Sequence, residues 1–309
     1  MKPLASLASA GKPFLFITDF LGNKLQYFEI SQLNSENILF DFDEKPTVKH
    51  HHQLDILKPS FSEYQKGFDR IIEAIKRGET YVLNYTLKTP INSPLSLQEI
   101  YELANAKYKL LFKDQFVCFS PETFITIEDN TIHTFPMKGT IDAALPQAED
   151  RLLNDPKELA EHIMIVDLLR NDLSQVATDV KVKRFRYVDT IEAGDKQLLQ
   201  ISSHIEGRLN SNWKENLDDI LALLLPAGSI SGAPKKSTVE HILKVEDFNR
   251  DYFCGIMGYF DGQALTTAVM IRFIEKENGA LFYKSGGGIT IDSDAQREFQ
   301  EALDKIYIP

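Results

Sequence analysis

Apolar residues along this chain keep two rhythms, a period of two and a period near 3.6, and the switches between them mark the elements. "PFLFITDF" and "LQYFEI" are dense in aromatic and branched residues on either side of "LGNK", which predicts a hairpin. "SFSEYQKGFDRIIEAIKRGE" sets Tyr64, Phe68, Ile71, Ile72 and Ile75 at helical spacing, with Gly78 as a stop. "TYVLNYTLKTP" then reads as a strand and "SLQEIYELANAK" as a second amphipathic helix. From Phe112 to Thr140 short strands alternate with turns: "FVCFS", "ETFITIED" and "NTIHTF", with "EDN" a turn by composition. The clearest helix runs from Asn154 to Ala177. Asp155 suits its N-cap, Pro156 its first position, and Glu158 would close a capping box.

"DVKVKRFRYVDT" and "KQLLQISSHIEGRL" predict two strands, and Trp213 to Leu225 a helix. "PAGSISGAPKKS" is a glycine-rich turn opening into the helical "TVEHILKVEDF". "FCGIMGYFD", "ALTTAVMIRFIE" and "ALFYKSGGGITI" predict three strands, and a last helix runs from about Ala295 to Lys305. Strands come in hairpin-like pairs and interleave with helices without strict alternation. The fold class is therefore α+β with antiparallel sheet rather than doubly wound α/β. No repeat and no long Gly/Ser/Pro linker divides the chain, so 1–309 reads as a single domain.

Charge narrows the functions. The formal net charge of -11 argues against a general binder of nucleic acid or anionic membrane. An anionic substrate would then need local positive groups or a metal. Two cysteines, Cys118 and Cys254, predict no disulfide framework and fit a cytoplasmic location. The opening residues lack the uninterrupted apolar core of a signal peptide, and "ILALLLPA" is too short to span a bilayer.

Four glutamates form two like-spaced pairs, Glu158 with Glu161 and Glu298 with Glu301, each three apart on one helix face. They decorate a helix surface, or they converge on a divalent cation such as magnesium, which prefers oxygen ligands. "GSISGAPKKS" lacks the spacing of a phosphate loop, and "SGGGIT" lacks the dinucleotide pattern. Both are tight turns, or present backbone N–H groups to a carboxylate. Arg272, after "TTAVMI" in an expected core strand, needs a partner: a substrate carboxylate or an internal ion pair. "KHHHQ", Lys49 to Gln53, reads as a loop or solvent-facing strand, since adjacent histidines share no face. Lys138 in "HTFPMKGTIDA" is an exposed turn lysine or an amine held in a pocket.

"PETF", "FPMKGT", "EHIMIVDLLRNDL", "PAGSISGAPK", "GIMGYFD", "MIRF" and "GGGITIDSDAQREFQE" occur in the order found in the chorismate-utilising enzymes, and the chain resembles that family from Pro121 to Glu301. The resemblance weakens before about Gln65. It implies a short form, with 1–64 a reduced N-terminal portion. It also implies two large stacked, mostly antiparallel sheets with helices outside and the active site between them. By the same resemblance Glu161 and Glu301 would be direct magnesium ligands, with Glu158 and Glu298 an outer pair, and the metal would hold the ring carboxylate of chorismate. Arg272 and the backbone near Gly287 and Gly288 would hold the enolpyruvyl carboxylate. Ser229 would contact the ring carboxylate, and Glu122 would be the general acid beside the departing hydroxyl. Asp167, Arg170 and Asp172 would brace the fold.

Among the reactions of this family, Lys138 resembles the aminodeoxychorismate synthase component I form, where other branches typically carry alanine. The amine would attack ring carbon 2 as the 4-hydroxyl leaves, and ammonia would then displace it. Such an amine must be uncharged, and Glu122 must be protonated, so the site has to lower one pKa and raise the other, or pass the amine's proton to a base. Val82 stands where water-adding relatives carry a lysine base and amine-adding ones often glutamine. Gln200 stands where anthranilate synthases carry a histidine. His204, four further on, is about 13 Å away along an extended strand. No glutaminase-like nucleophile turn and no lyase module are found, which implies a separate glutamine amidotransferase partner supplying ammonia. The expected product is 4-amino-4-deoxychorismate for 4-aminobenzoate and folate. The alternatives are anthranilate synthase component I and a non-catalytic chorismate-binding protein.

Overall fold

The two rhythms of the sequence resolve into eight α-helices and nineteen strands in a computed structural model that describes residues 2–42, 52–193 and 196–309. Lys49, His50 and His51 of the histidine run lie outside the described residues. In chain order α1 (Pro3–Ser9) precedes β1 (Phe14–Thr18) and β2 (Leu25–Glu29), the predicted hairpin. Three short strands follow, β3 (Ile38–Asp41), β4 (His52–Gln53) and β5 (Asp55–Ile56). Then come α2 (Phe61–Lys76), β6 (Val82–Asn92) and α3 (Leu97–Leu103). A run of strands comprises β7 (Tyr108–Phe112), β8 (Phe116–Ser120), β9 (Thr123–Glu128), β10 (Thr131–Thr134) and β11 (Met137–Asp142). Helices α4 (Ala148–Leu153) and α5 (Pro156–Ser174) lead to the long hairpin β12 (Thr178–Ala193) and β13 (Lys196–Arg208). The rest is α6 (Leu217–Leu224), β14 (Gly232–Ala233), α7 (Lys235–Val245), β15 (Ile256–Phe260), β16 (Leu265–Val269), β17 (Phe273–Glu277), β18 (Ala280–Ile289), α8 (Ala295–Asp304) and β19 (Tyr307–Ile308).

Two large antiparallel sheets organise the molecule. One runs β11-β13-β10-β9-β16-β15-β1-β2, with β12 also on β13; the other runs β14-β6-β18-β17-β8-β7-β3, with β5 on β6. Their inner faces share one hydrophobic core. Phe28 of the first sheet lies 6.1 Å from Phe112 of the second, and Tyr259 lies 5.2 Å from Phe40. The α+β expectation is met.

Local chemistry explains several elements. Asp155 caps α5, its carboxylate accepting from the N–H groups of Lys157 and Glu158. The expected capping box does not close, because the Glu158 side chain lies against Gly139 instead. The β9–β10 turn has Asp129 and Asn130 both at positive φ, the geometry a two-residue hairpin requires. Asp172 is buried and paired with Lys235 at 2.8 Å, a brace as the resemblance implied, whereas Asp167 and Arg170 form an exposed pair on α5.

One strand was misread. "ALTTAVMIRFIE" is two strands, β16 and β17, that belong to different sheets. The chain crosses between sheets at Met270–Arg272, where Arg272 takes φ +51°. A continuous apolar run carries no mark of that crossing, since both halves are buried. The crossing brings Arg272 to the space between the sheets. Among the described residues no helix is long and apolar enough to cross a membrane.

Candidate active site

A cavity of about 290 Å³ opens between the sheets, lined from β6, β11, α5, the Gly228–Ile230 turn, the β16–β17 crossing, β18 and α8. It collects Glu122, Lys138, Glu161, Ser229, Arg272, Gly287, Gly288 and Glu301. These residues run from Glu122 to Glu301 in the sequence. Glu158 and Glu298 stand at its edge: Glu158 Oε2 is 2.6 Å from where a Cβ on Gly139 would lie, and Glu298 Oε2 is 3.6 Å from that of Gly287.

Lys138 belongs to β11 rather than to a turn, and its side chain is about one third exposed. Its Nζ lies 2.9 Å from Glu161 Oε2. Gly139 follows it at φ +83°, a conformation that side chains with a Cβ rarely adopt, and a Cβ there would also displace the Glu158 carboxylate. Burial acts to lower the Lys138 pKa, but the carboxylates of Glu161, Glu158 and Glu301 outweigh it and hold it above the ordinary lysine value. The lowered amine pKa that the chemistry asked for is therefore not a property of this arrangement. The nearby negative charges reverse it.

Glu122 behaves as expected. Burial pushes its carboxyl up, and the hydrogen bond donated by Ser229 Oγ to Oε1 and the charge of Lys305 only partly offset this. Ser229 thus touches Glu122, a contact the sequence did not suggest. The Gly228–Ile230 turn is held from behind by Arg250, which donates to the Ile230 carbonyl at 3.0 Å and is itself paired with buried Glu246 at 2.7 Å.

Arg272 has no carboxylate partner among the described residues. Its guanidinium stacks over the Tyr307 ring at 4.7 Å, and burial pushes its pKa down. Among the described residues it makes no internal ion pair, and Arg272 lines the cavity. On β18, β17 pairs with Ala280–Lys284, so among the described residues that edge has no strand partner from Ser285 onward. Gly286 lets β18 approach β6, since a Cβ there would lie 2.3 Å from the Tyr85 carbonyl oxygen. Val82 also lines the cavity and gives it apolar surface.

The four glutamates offer only carboxylate oxygens, a donor set that suits a hard divalent cation and not a soft one. The pKa values of Glu158 and Glu298 are pushed up. Burial is the larger cause of both shifts, and the neighbouring carboxylate charge, of Glu161 and Glu301 respectively, adds to it. Lysines now supply the counter-charge, Lys138 at Glu161 and Lys305 at Glu301, 2.8 Å away. Lys305 is a site residue that sequence reasoning missed, although its position four after Glu301 on α8 signals the pair. Its Nζ also donates to the Gly286 carbonyl at 2.9 Å. Thr290 was missed too; the residue lines the cavity, while its hydroxyl oxygen is buried and without a partner among the described residues. His204, four residues beyond Gln200, faces His133 elsewhere on the sheet and does not line the cavity.

A cavity between two antiparallel sheets, lined by carboxyl groups, an amine and a guanidinium, has the concave, charge-lined form of a small-molecule site. The profile of the chorismate-binding enzymes matches residues 26–309, and the chain belongs to that family. It is 48% identical over 302 residues to the "Uncharacterized PabA-like protein" of Haemophilus influenzae, covering 96% of this chain and 92% of that one. It is 31% identical over 260 residues to aminodeoxychorismate synthase component 1 of Escherichia coli, covering 79% of this chain but only 56% of that relative's length. A crystal structure of anthranilate synthase component I from Streptococcus pneumoniae superposes with a TM-score of 0.69 at 26% identity, over 86% of this chain and 60% of that one.

Proposed function

We propose that the chain catalyses the amination of chorismate to 4-amino-4-deoxychorismate, as aminodeoxychorismate synthase component I, with ammonia delivered from glutamine by a separate amidotransferase. The observation that carries the reading is the placement of Lys138 Nζ in the cavity that also holds a raised-pKa Glu122. Lys138 is the nucleophile and Glu122 the acid. Arg272 takes the enolpyruvyl carboxylate, together with the open edge of β18 at Gly287 and Gly288. Ser229 orients Glu122 and meets the ring carboxylate.

Glu161 and Glu301, with Glu158 and Glu298 behind them, would hold magnesium, which supplies positive charge for the ring carboxylate when bound. The Lys138 amine first gives up a proton, and Glu161 is the carboxylate within reach. The amine then forms a bond to ring carbon 2. The ring double bonds shift, and the bond from carbon 4 to its hydroxyl breaks as Glu122 gives that oxygen a proton. Ammonia forms the new bond at carbon 4 in the reverse displacement, and Lys138 leaves as the free amine. The product keeps its enolpyruvyl group. Gln200, which pairs with Thr140 in the sheet, offers no imidazole for eliminating it.

The test is product identity. Chorismate, magnesium and an ammonium salt are expected to give a product that becomes 4-aminobenzoate only after an aminodeoxychorismate lyase is added. Direct appearance of anthranilate fluorescence would assign the chain to the other aminating branch.

A further inference from the structure

We propose that His133, His204 and Glu206 form a second metal site, for a borderline divalent ion of the zinc type, on the outer face of the larger sheet. None of the three lines the cavity. His133 on β10 stands directly opposite Glu206 on β13, and His204 precedes Glu206 by two on the same strand, so all three side chains leave the same face of the sheet. Ile132 and Ile205, the alternate residues, are fully buried in the core behind them.

The spacing is that of a coordination sphere. His133 Nδ1 and His204 Nε2 are 3.0 Å apart, and His133 Nδ1 is 3.9 Å from Glu206 Oε2. One donor atom from each residue lies within 4.8 Å of the others. Zinc bonded at about 2.0–2.1 Å to nitrogen in a tetrahedron sets its ligand atoms roughly 3.3 Å from each other. Two imidazoles and one carboxylate leave a fourth position for water, and imidazole selects zinc, nickel or copper over magnesium. Among the described residues these are the only three histidine, cysteine, aspartate or glutamate side chains gathered this closely.

The surroundings favour ligation. His133 Nδ1 and His204 Nε2 face each other as hydrogen-bond partners, and a metal would take the place of the one proton they share. The Phe135 ring stacks on His204 at 4.8 Å and fixes its orientation. Lys183 and Lys181 now pair with Glu206 at 2.9 and 3.3 Å, but their side chains are 55% and 67% exposed and free to swing into water. An exposed ion pair of that kind is a weak competitor for a metal.

Zinc titration by calorimetry, on chelator-treated protein in excess magnesium to fill the glutamate cluster, tests the site. One zinc per chain is expected. His133→Ala and His204→Ala should each weaken it by more than the roughly 10–100-fold that losing a ligand's hydrogen-bond partner costs. Lys183→Ala, at an exposed position, should tighten it by up to about fivefold, the worth of a surface ion pair. Should the histidine variants not fold, zinc added to the unmodified protein must shift the nitrogen resonances of both imidazoles. Absence of zinc binding, binding that neither histidine variant weakens, imidazole resonances that zinc does not move, or weaker binding in Lys183→Ala would each overturn the assignment.

Discussion

Lys138 Nζ rests 2.9 Å from Glu161 Oε2, so the amine proposed to attack substrate is paired with a carboxylate proposed to bind metal. The two roles compete for one contact. The resting lysine is therefore held charged, and the nucleophile emerges only when that contact is given up.

Lys138→Ala removes the nucleophile and leaves the cavity walls in place. Aminodeoxychorismate formation is expected to fall at least about 100-fold, at the low end of what a positioned catalytic group supplies. The melting temperature should move by only about 2–4 °C, equivalent to roughly 1 kcal/mol. Product assays and thermal melts of the purified variant check both; undiminished amination would remove Lys138 from the chemistry.

Ser229→Ala deletes the hydrogen bond that restrains the Glu122 pKa. A general acid works while protonated, so activity declines as pH rises through its pKa. Loss of the bond raises that pKa further, and the alkaline limb of the kcat profile should move to higher pH. Glu122→Gln, which keeps the shape and loses the acid, should lower kcat by about 10²–10⁴-fold. An alkaline limb that stays in place in Ser229→Ala would separate Glu122 from it.

Arg272→Ala should raise KM for chorismate by about 10–100-fold with a smaller change in kcat. That corresponds to a charge-assisted hydrogen bond of roughly 1.5–3 kcal/mol. Arg272→Lys should recover only part of it, because a lysine cannot fork onto a carboxylate. Steady-state kinetics decide the matter, and an unchanged KM in Arg272→Ala would count against carboxylate binding.

His162, fully buried on α5, accepts or donates at 2.7 Å to Ser203 and has its pKa pushed down to about 4 by burial. The unfolded chain takes up this proton near pH 6.5, the folded one only near pH 4. Stability present above about pH 6.5 is thus lost as pH falls through 4, by up to about 3 kcal/mol. Melting temperatures of the parent and His162→Asn across that range should converge in slope difference: the variant loses less on acidification. Equal losses would exclude His162.

How much was legible in the sequence depended on how local its cause was. The Asp155 cap, the β1–β2 hairpin and the Asp129–Asn130 turn follow from residues a few positions apart, and each stands where expected. The cavity residues Glu122, Lys138, Ser229, Arg272 and Glu301 were legible through ordered motifs, and the fold gathers them. The β16–β17 crossing was hidden, because an apolar strand reads alike whichever sheet it joins. Lys305 was overlooked because its role comes from the Gly286 carbonyl of another element.

By itself the sequence determined the periodicities, caps and turns, since these are set by each residue's own backbone preferences and near neighbours. Only the tertiary structure decided which polar groups face one another: Lys138 with Glu161, Ser229 with Glu122, His133 with His204 and Glu206. Electrostatic energy depends on distance through space and on exclusion of water, and neither is a property of position along the chain.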